Sequence, residues 1–127
     1  MNIAVSIILV MVMVLTSLWM RAAYIRAWKP LAQNFQFRGD YTWALFVDTV
    51  KIKNFLFRDV AIDIREEGLF LQIPKQPWCK ALLVPWSAIQ VNESTNPRST
   101  IIHIGRIPIE LSQYIFKEVK PKIVSIQ

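Results

Sequence analysis

Residues 60–73 read Val-Ala-Ile-Asp-Ile-Arg-Glu-Glu-Gly-Leu-Phe-Leu-Gln-Ile. Val60, Ile62 and Ile64 alternate with Ala61, Asp63 and Arg65, the period of two that a half-buried strand imposes. Glu66-Glu67-Gly68 reads as the turn, with Gly68 expected at positive φ. Leu69, Leu71 and Ile73 return along the apolar side. The stretch predicts a β-hairpin with one face on a core and one face wet.

Toward the C-terminus, residues 74–77 carry two prolines with Lys75 and Gln76, a sheet-breaking loop. Residues 81–84 form a short apolar strand. Residues 85–89, Pro-Trp-Ser-Ala-Ile, read as a corner with Trp86 and Ile89 plugging the core, and residues 90–92 resume a strand. Residues 93–99 are a polar loop. Residues 100–104 and 107–111 predict a second tight hairpin around Gly105-Arg106. Ser112 suits the N-cap of a helix over residues 113–119, whose length Pro121 is expected to limit. Toward the N-terminus, residues 41–57 alternate in a strand-like way but also admit a helix.

The other decisive stretch is 3–20, IAVSIILVMVMVLTSLWM, with no charge and no helix breaker. As a helix it spans roughly 27 Å, close to the ~30 Å hydrocarbon core of a bilayer. Ser6, Thr16 and Ser17 are too few to give it the polar face of a soluble helix. A cleaved leader is disfavoured: no side-chain cation precedes the run, and it ends in Trp19-Met20-Arg21 rather than in small residues. Arg21, Arg26 and Lys29 follow it, which predicts the N-terminus outside and the C-terminal domain cytoplasmic. Trp19, Tyr24 and Trp28 fit an interfacial aromatic belt, with Arg21, Arg26 and Lys29 reaching toward headgroups. Three cations fall short of a dedicated lipid-binding cluster. Residues 21–29 are expected to continue the helix until Pro30 bends or ends it.

The chain has 127 residues and a net charge of +6, half of it carried by those three cations. The remainder is only mildly basic, which weakens a nucleic-acid reading. The sequence therefore divides into an anchor and interfacial helix (1–29), a juxtamembrane lead-in (30–40) and one β domain with a C-terminal helix (41–127). A single cysteine excludes an internal disulfide, in keeping with a cytoplasmic domain. Cys79 lies between Trp78 and Lys80, neighbours expected to lower its pKa a little, and reads as a loop or core thiol.

Residues 66–89, EEGLFLQIPKQPWCKALLVPWSAI, carry a resemblance. Turn, strand, second strand and the VPWSAI corner look like the pleckstrin-homology-like (PH-like) superfold, including its bacterial and GRAM relatives. The chain is similar to small bacterial single-pass membrane proteins with such a domain. The resemblance implies an α+β architecture: an N-terminal transmembrane helix, then a small bent β-sheet or partial barrel closed by a C-terminal helix. Gly68, Trp86, Ile89 and Gly105 are its structural core and turn positions. In eukaryotic relatives a basic first hairpin loop holds inositol phosphates. The turns 66–68 and 105–106 do not reproduce that pocket.

No constellation reads as catalytic. Asp63, Glu66 and Glu67 crowd a turn, where solvated acids are ordinary. His103 stands alone in an apolar strand, without partners for a metal site. No Gly-rich phosphate loop and no nucleophile motif occurs. Asn92-Glu-Ser is formally a glycosylation sequon, which a cytoplasmic domain would not present to the enzyme. Lys51, Lys53 and Arg58, interleaved with Ile52, Phe55 and Phe57, read first as the solvated face of a strand and second as a lipid or partner surface. Lys117, Lys120 and Lys122 suit the end of a helix. The expectation is a non-catalytic accessory or adaptor subunit of the bacterial inner membrane, without cofactor, metal or nucleic acid. Its partners would be a larger integral membrane complex and membrane lipids. The competing expectation is a surface sensor that binds anionic headgroups, or a peptide at a sheet edge.

Overall fold

A computed structural model describes residues 2–37, 46–76, 78–92 and 98–126. Residues 41–45 and 93–97, expected as strand-like and loop, lie outside them, as does the Gly39-Asp40 pair.

The apolar run forms α1 (Ile3–Ala23), capped by Asn2, whose Oδ1 accepts from the Ala4 N–H at 3.1 Å. The Thr16 hydroxyl donates to the Val12 carbonyl at 2.7 Å, so it is satisfied inside the helix. Apolar side chains are exposed all round α1, Leu9 at 52% and Leu15 at 61% among them.

The helix does not end at Pro30. A π turn (Tyr24–Trp28) leads straight into α2 (Lys29–Phe35), giving one helical element of 33 residues. A regular α-helix would press the Pro30 ring on the carbonyl of Arg26. The wider turn just before it, closed by the Lys29 N–H on the Tyr24 carbonyl, absorbs that conflict. Pro30 then sits in the first turn of α2, where its missing N–H costs little.

Seven strands follow: β1 (Phe46–Ile52), β2 (Phe55–Ile64), β3 (Gly68–Gln72), β4 (Leu82–Pro85), β5 (Ile89–Asn92), β6 (Ser99–Ile104) and β7 (Ile107–Ser112). They form one antiparallel sheet in the order β4-β3-β2-β1-β7-β6-β5. The two edge strands, β4 and β5, are joined by a single 3-10 turn (Trp86–Ala88), so the sheet must roll up until its edges nearly meet. The architecture is thus α+β: a long N-terminal apolar helix, a nearly closed seven-stranded sheet, and the terminal helix α3 (Gln113–Ile126).

Residues 46–57 are strand rather than helix. The first hairpin turns at Lys53-Asn54, with φ of 50° and 73°, between the paired Ile52 and Phe55. Both residues lie in the left-handed region that a tight two-residue hairpin requires. A bulge follows: Asp48 pairs with Val60 and Val50 with Phe57, so Arg58 and Asp59 oppose one residue.

The 60–73 hairpin forms in the expected register, Ile64 opposite Leu69 and Ile62 opposite Leu71. Two expectations about it are corrected. Its outer face is not wet: Phe70 is fully buried, with Phe37 edge-on at 5.3 Å and the Arg65 guanidinium over its ring at 4.4 Å. Gly68 does not lie at positive φ. Glycine is required there because a Cβ would stand 2.1 Å from the Val84 carbonyl oxygen on β4. Gly105, at φ 63°, is the glycine that makes a turn by its conformation.

Trp86 and Ile89 are core residues, and the Trp86 indole N–H donates to the Arg65 carbonyl at 2.8 Å. Ser112 caps α3, its Oγ accepting from the Ile115 N–H at 3.4 Å and donating to Asp48 at 2.7 Å. The helix continues through Pro121 rather than stopping before it. Ile123, two residues further on, is buried in the core, and that packing offsets the lost N–H.

Candidate membrane and partner interface

The N-terminal helical element and the sheet domain share one core. Ala23, Ala27, Trp28 and Leu31 of the helical element belong to the same buried cluster as Ile52, Ile62, Leu82 and Ile109 of the sheet. Packing of this element against the sheet therefore begins near Ala23. Trp28 is corrected most. Expected among interfacial aromatics, it is fully buried, its ring 5.5 Å from Phe57, its indole N–H donating to the Lys80 carbonyl at 2.9 Å. Such an indole fills the core with its rings and satisfies its one donor on a backbone carbonyl.

The other proposed interface residues stay outside. Trp19, Arg21, Arg26 and Lys29 are exposed and Tyr24 is half-buried. Trp19 is the next-to-last residue of the uncharged run, and its ring lies 5.1 Å from Phe55, the residue after the first hairpin turn. The tip of the β1–β2 hairpin therefore stands at the level where the apolar run stops.

Lys51, Lys53 and Arg58 come together through that hairpin. Val50, Ile52 and Phe57 point into the core, so Lys51, Leu56 and Arg58 share the outer face, with Lys53 at the tip. Lys51 also sits opposite Glu110 on β7. Reading a strand period through residues 50–55 missed the turn. The signal was Asn54, a residue that tolerates left-handed backbone.

The titratable groups elsewhere have structural settings. Asp63 pairs with Arg65 at 3.1 Å, and Asp59 with Lys75 at 2.9 Å on the surface. His103 lies on β6 between Gln90 and Pro108. Cys79 is buried, and desolvation pushes its pKa up to about 11, against the expected lowering. Its thiol therefore stays protonated at neutral pH. Among the described residues no group of three His, Cys, Asp or Glu side chains is placed to hold a metal ion. The edge strand β5 pairs only with β6 among the described residues.

No family model, no curated protein and no solved structure matches the chain.

Proposed function

We propose that the chain is a non-catalytic, single-pass accessory or adaptor subunit, held in a bacterial inner membrane by α1 with its domain on the cytoplasmic side. Its helix packs on a larger integral membrane complex, and its PH-like domain covers a cytoplasmic surface of that complex. The observation that carries this reading is the shared core. Because Ala23, Ala27, Trp28 and Leu31 are buried in the sheet domain, the domain cannot swing on a tether. A body held at one angle to its anchor suits docking on one neighbour. The PH-like assignment rests on the strand order, the three-residue corner between β4 and β5, and the terminal helix. The buried, protonated Cys79 fits a domain without nucleophilic chemistry.

The test is the native size of the full-length tagged protein in mild detergent, with mass spectrometry of whatever accompanies it. A large stoichiometric assembly is expected. A lone monomer or homo-oligomer overturns the adaptor reading.

A second reading, a surface sensor for anionic headgroups, is favoured by one observation. The first hairpin turn is Lys53-Asn54, beside Trp19, with Lys51 and Arg58 on the adjoining face. Each cation near an anionic surface contributes about 1 kcal/mol. Charge reversal at Lys51, Lys53 and Arg58 separates the readings. Loss of preference for anionic vesicles with complex association intact favours the sensor.

A further inference from the structure

The segment between β3 and β4 returns to the helix at the same level as the first hairpin. Trp78, 46% exposed, stands over a groove of about 390 Å³ whose other walls are Ser17, Met20, Arg21 and Tyr24. A second recess of about 300 Å³ runs back along α1 past Met13 and Leu18 and shares Ser17 and Arg21 with the first. The two thus adjoin the same Ser17 and Arg21 side chains.

Trp78 is held in this place by its neighbours. The Cys79 N–H donates to the Gln76 carbonyl at 2.9 Å, Cys79 is buried, and the Lys80 carbonyl is tied to the Trp28 indole at 2.9 Å. A large ring kept exposed by a fixed backbone suggests that something other than water covers it.

Height identifies what covers it. Trp19 lies one residue before the end of the uncharged run and Tyr24 about 7.5 Å further along the helix, close to the depth of one headgroup layer. Trp19 touches Phe55 on one side of the helix. The Trp78 groove lies about 150° round, at 100° per residue. Tryptophan and tyrosine rings favour this zone. Arg21 is exposed and no acid pairs with it among the described residues.

We propose that this groove is a phospholipid site, a reading that rests on α1 as a membrane span. The lipid phosphate meets the Arg21 guanidinium between Tyr24 and Trp78. An acyl chain runs along Met20, Ser17 and Met13. The chemistry is that of any glycerophospholipid: an anionic phosphate for a planar cation, and a chain for an apolar trough. The site is separate from the Lys51, Lys53 and Arg58 face, and it seats the domain on the bilayer through its own anchor.

The test uses the full-length protein in phosphatidylcholine–phosphatidylglycerol vesicles whose acyl chains carry bromine near the headgroup. Tryptophan quenching is compared for wild type, Trp78→Phe and Trp19→Phe, and phospholipid retained through mild detergent is counted by native mass spectrometry. Each substitution is expected to remove part of the bromine quenching. Arg21→Gln is expected to weaken lipid retention about tenfold, the loss of one charge-assisted contact. These positions are exposed, and a thermal melt checks that the variants fold. Quenching unchanged by Trp78→Phe while Trp19 is still quenched overturns the site alone. Lipid retention unchanged by Arg21→Gln overturns the phosphate contact. No quenching of Trp19 or Trp78 overturns the membrane reading and the site with it. Trp78 shielded from both bromine and aqueous acrylamide means that a second copy covers it, which also overturns the site.

Discussion

The two ends of the long helical element live in different surroundings. Before Ala23 nearly every apolar side chain is exposed, on every side of the helix. From Ala23 on, Ala27, Trp28 and Leu31 are buried against the sheet, while Ile25, Arg26 and Lys29 face outward. The outer stretch is apolar in all directions and suits a surrounding apolar medium. The inner stretch is amphipathic and suits one protein face. One continuous backbone thus passes from one kind of burial to the other, and the π turn marks the change.

The largest effect expected from breaking this contrast is Trp28→Ala. It removes a fully buried indole and orphans the Lys80 carbonyl, costing about 3–5 kcal/mol. Denaturant unfolding of the detergent-solubilised protein measures it. Leu15→Ala, in the outer stretch, is expected to leave domain stability within about 0.5 kcal/mol. Equal losses from the two would mean that the stretches are not distinct.

Leu9→Arg tests the outer stretch from the other side. A charge near the middle of a spanning helix opposes insertion by about 2.5–3.5 kcal/mol. The bilayer-embedded fraction, measured by alkaline extraction of membranes, should fall while the domain melts as before. An unchanged fraction would count against α1 as the anchor.

Gly68→Ala sharpens the account of the inner stretch. Its Cβ would push β4 away from β3, and α2 packs on β4, with Gln36 bridged to Leu82. The expected cost is about 2–3 kcal/mol, as for other overpacked sites. Gly105→Ala, with open space but φ 63°, should cost about 1 kcal/mol. Comparative melts would expose a reversed order.

A pH-dependent effect is expected at Cys79, confined to alkaline conditions. Its folded pKa is raised from 9.0 to about 11 by burial, so the unfolded thiol ionises first. Between those values the unfolded state binds fewer protons, and stability falls as pH rises. The stability this thiol contributes is complete below about pH 9 and is lost toward pH 11. Wild type should therefore lose more melting temperature over that window than Cys79→Ala. Parallel curves would show that burial does not shift the thiol.

Much of the β architecture was legible. The 60–73 and 100–111 hairpins, the corner at Trp86 and Ile89, and the Ser112 cap follow from alternation, turn chemistry and a side-chain oxygen at a helix start. Errors arose where a local rule met a tertiary contact. Pro30 is expected to bend or end its helix and Pro121 to limit α3, yet both helices continue because residues beyond each proline, Leu31 and Ile123, are buried in the core. Lys53-Asn54 was hidden because alternation continues in the letters across the turn. Lys51, Lys53 and Arg58 could be named in advance, whereas the meeting of Trp78 with α1 could not, since its neighbours there lie more than fifty residues away along the chain.

The sequence by itself determined the apolar helix, the strands and the cationic flank, because each depends on composition and period within a short window. Only the tertiary structure decided that Trp28 belongs to the core, that Gly68 is required by the Val84 carbonyl, and that Phe55 and Trp78 stand beside the helix. Those outcomes depend on which distant surfaces meet, and the spacing of residues along one segment carries no record of what will be packed against it.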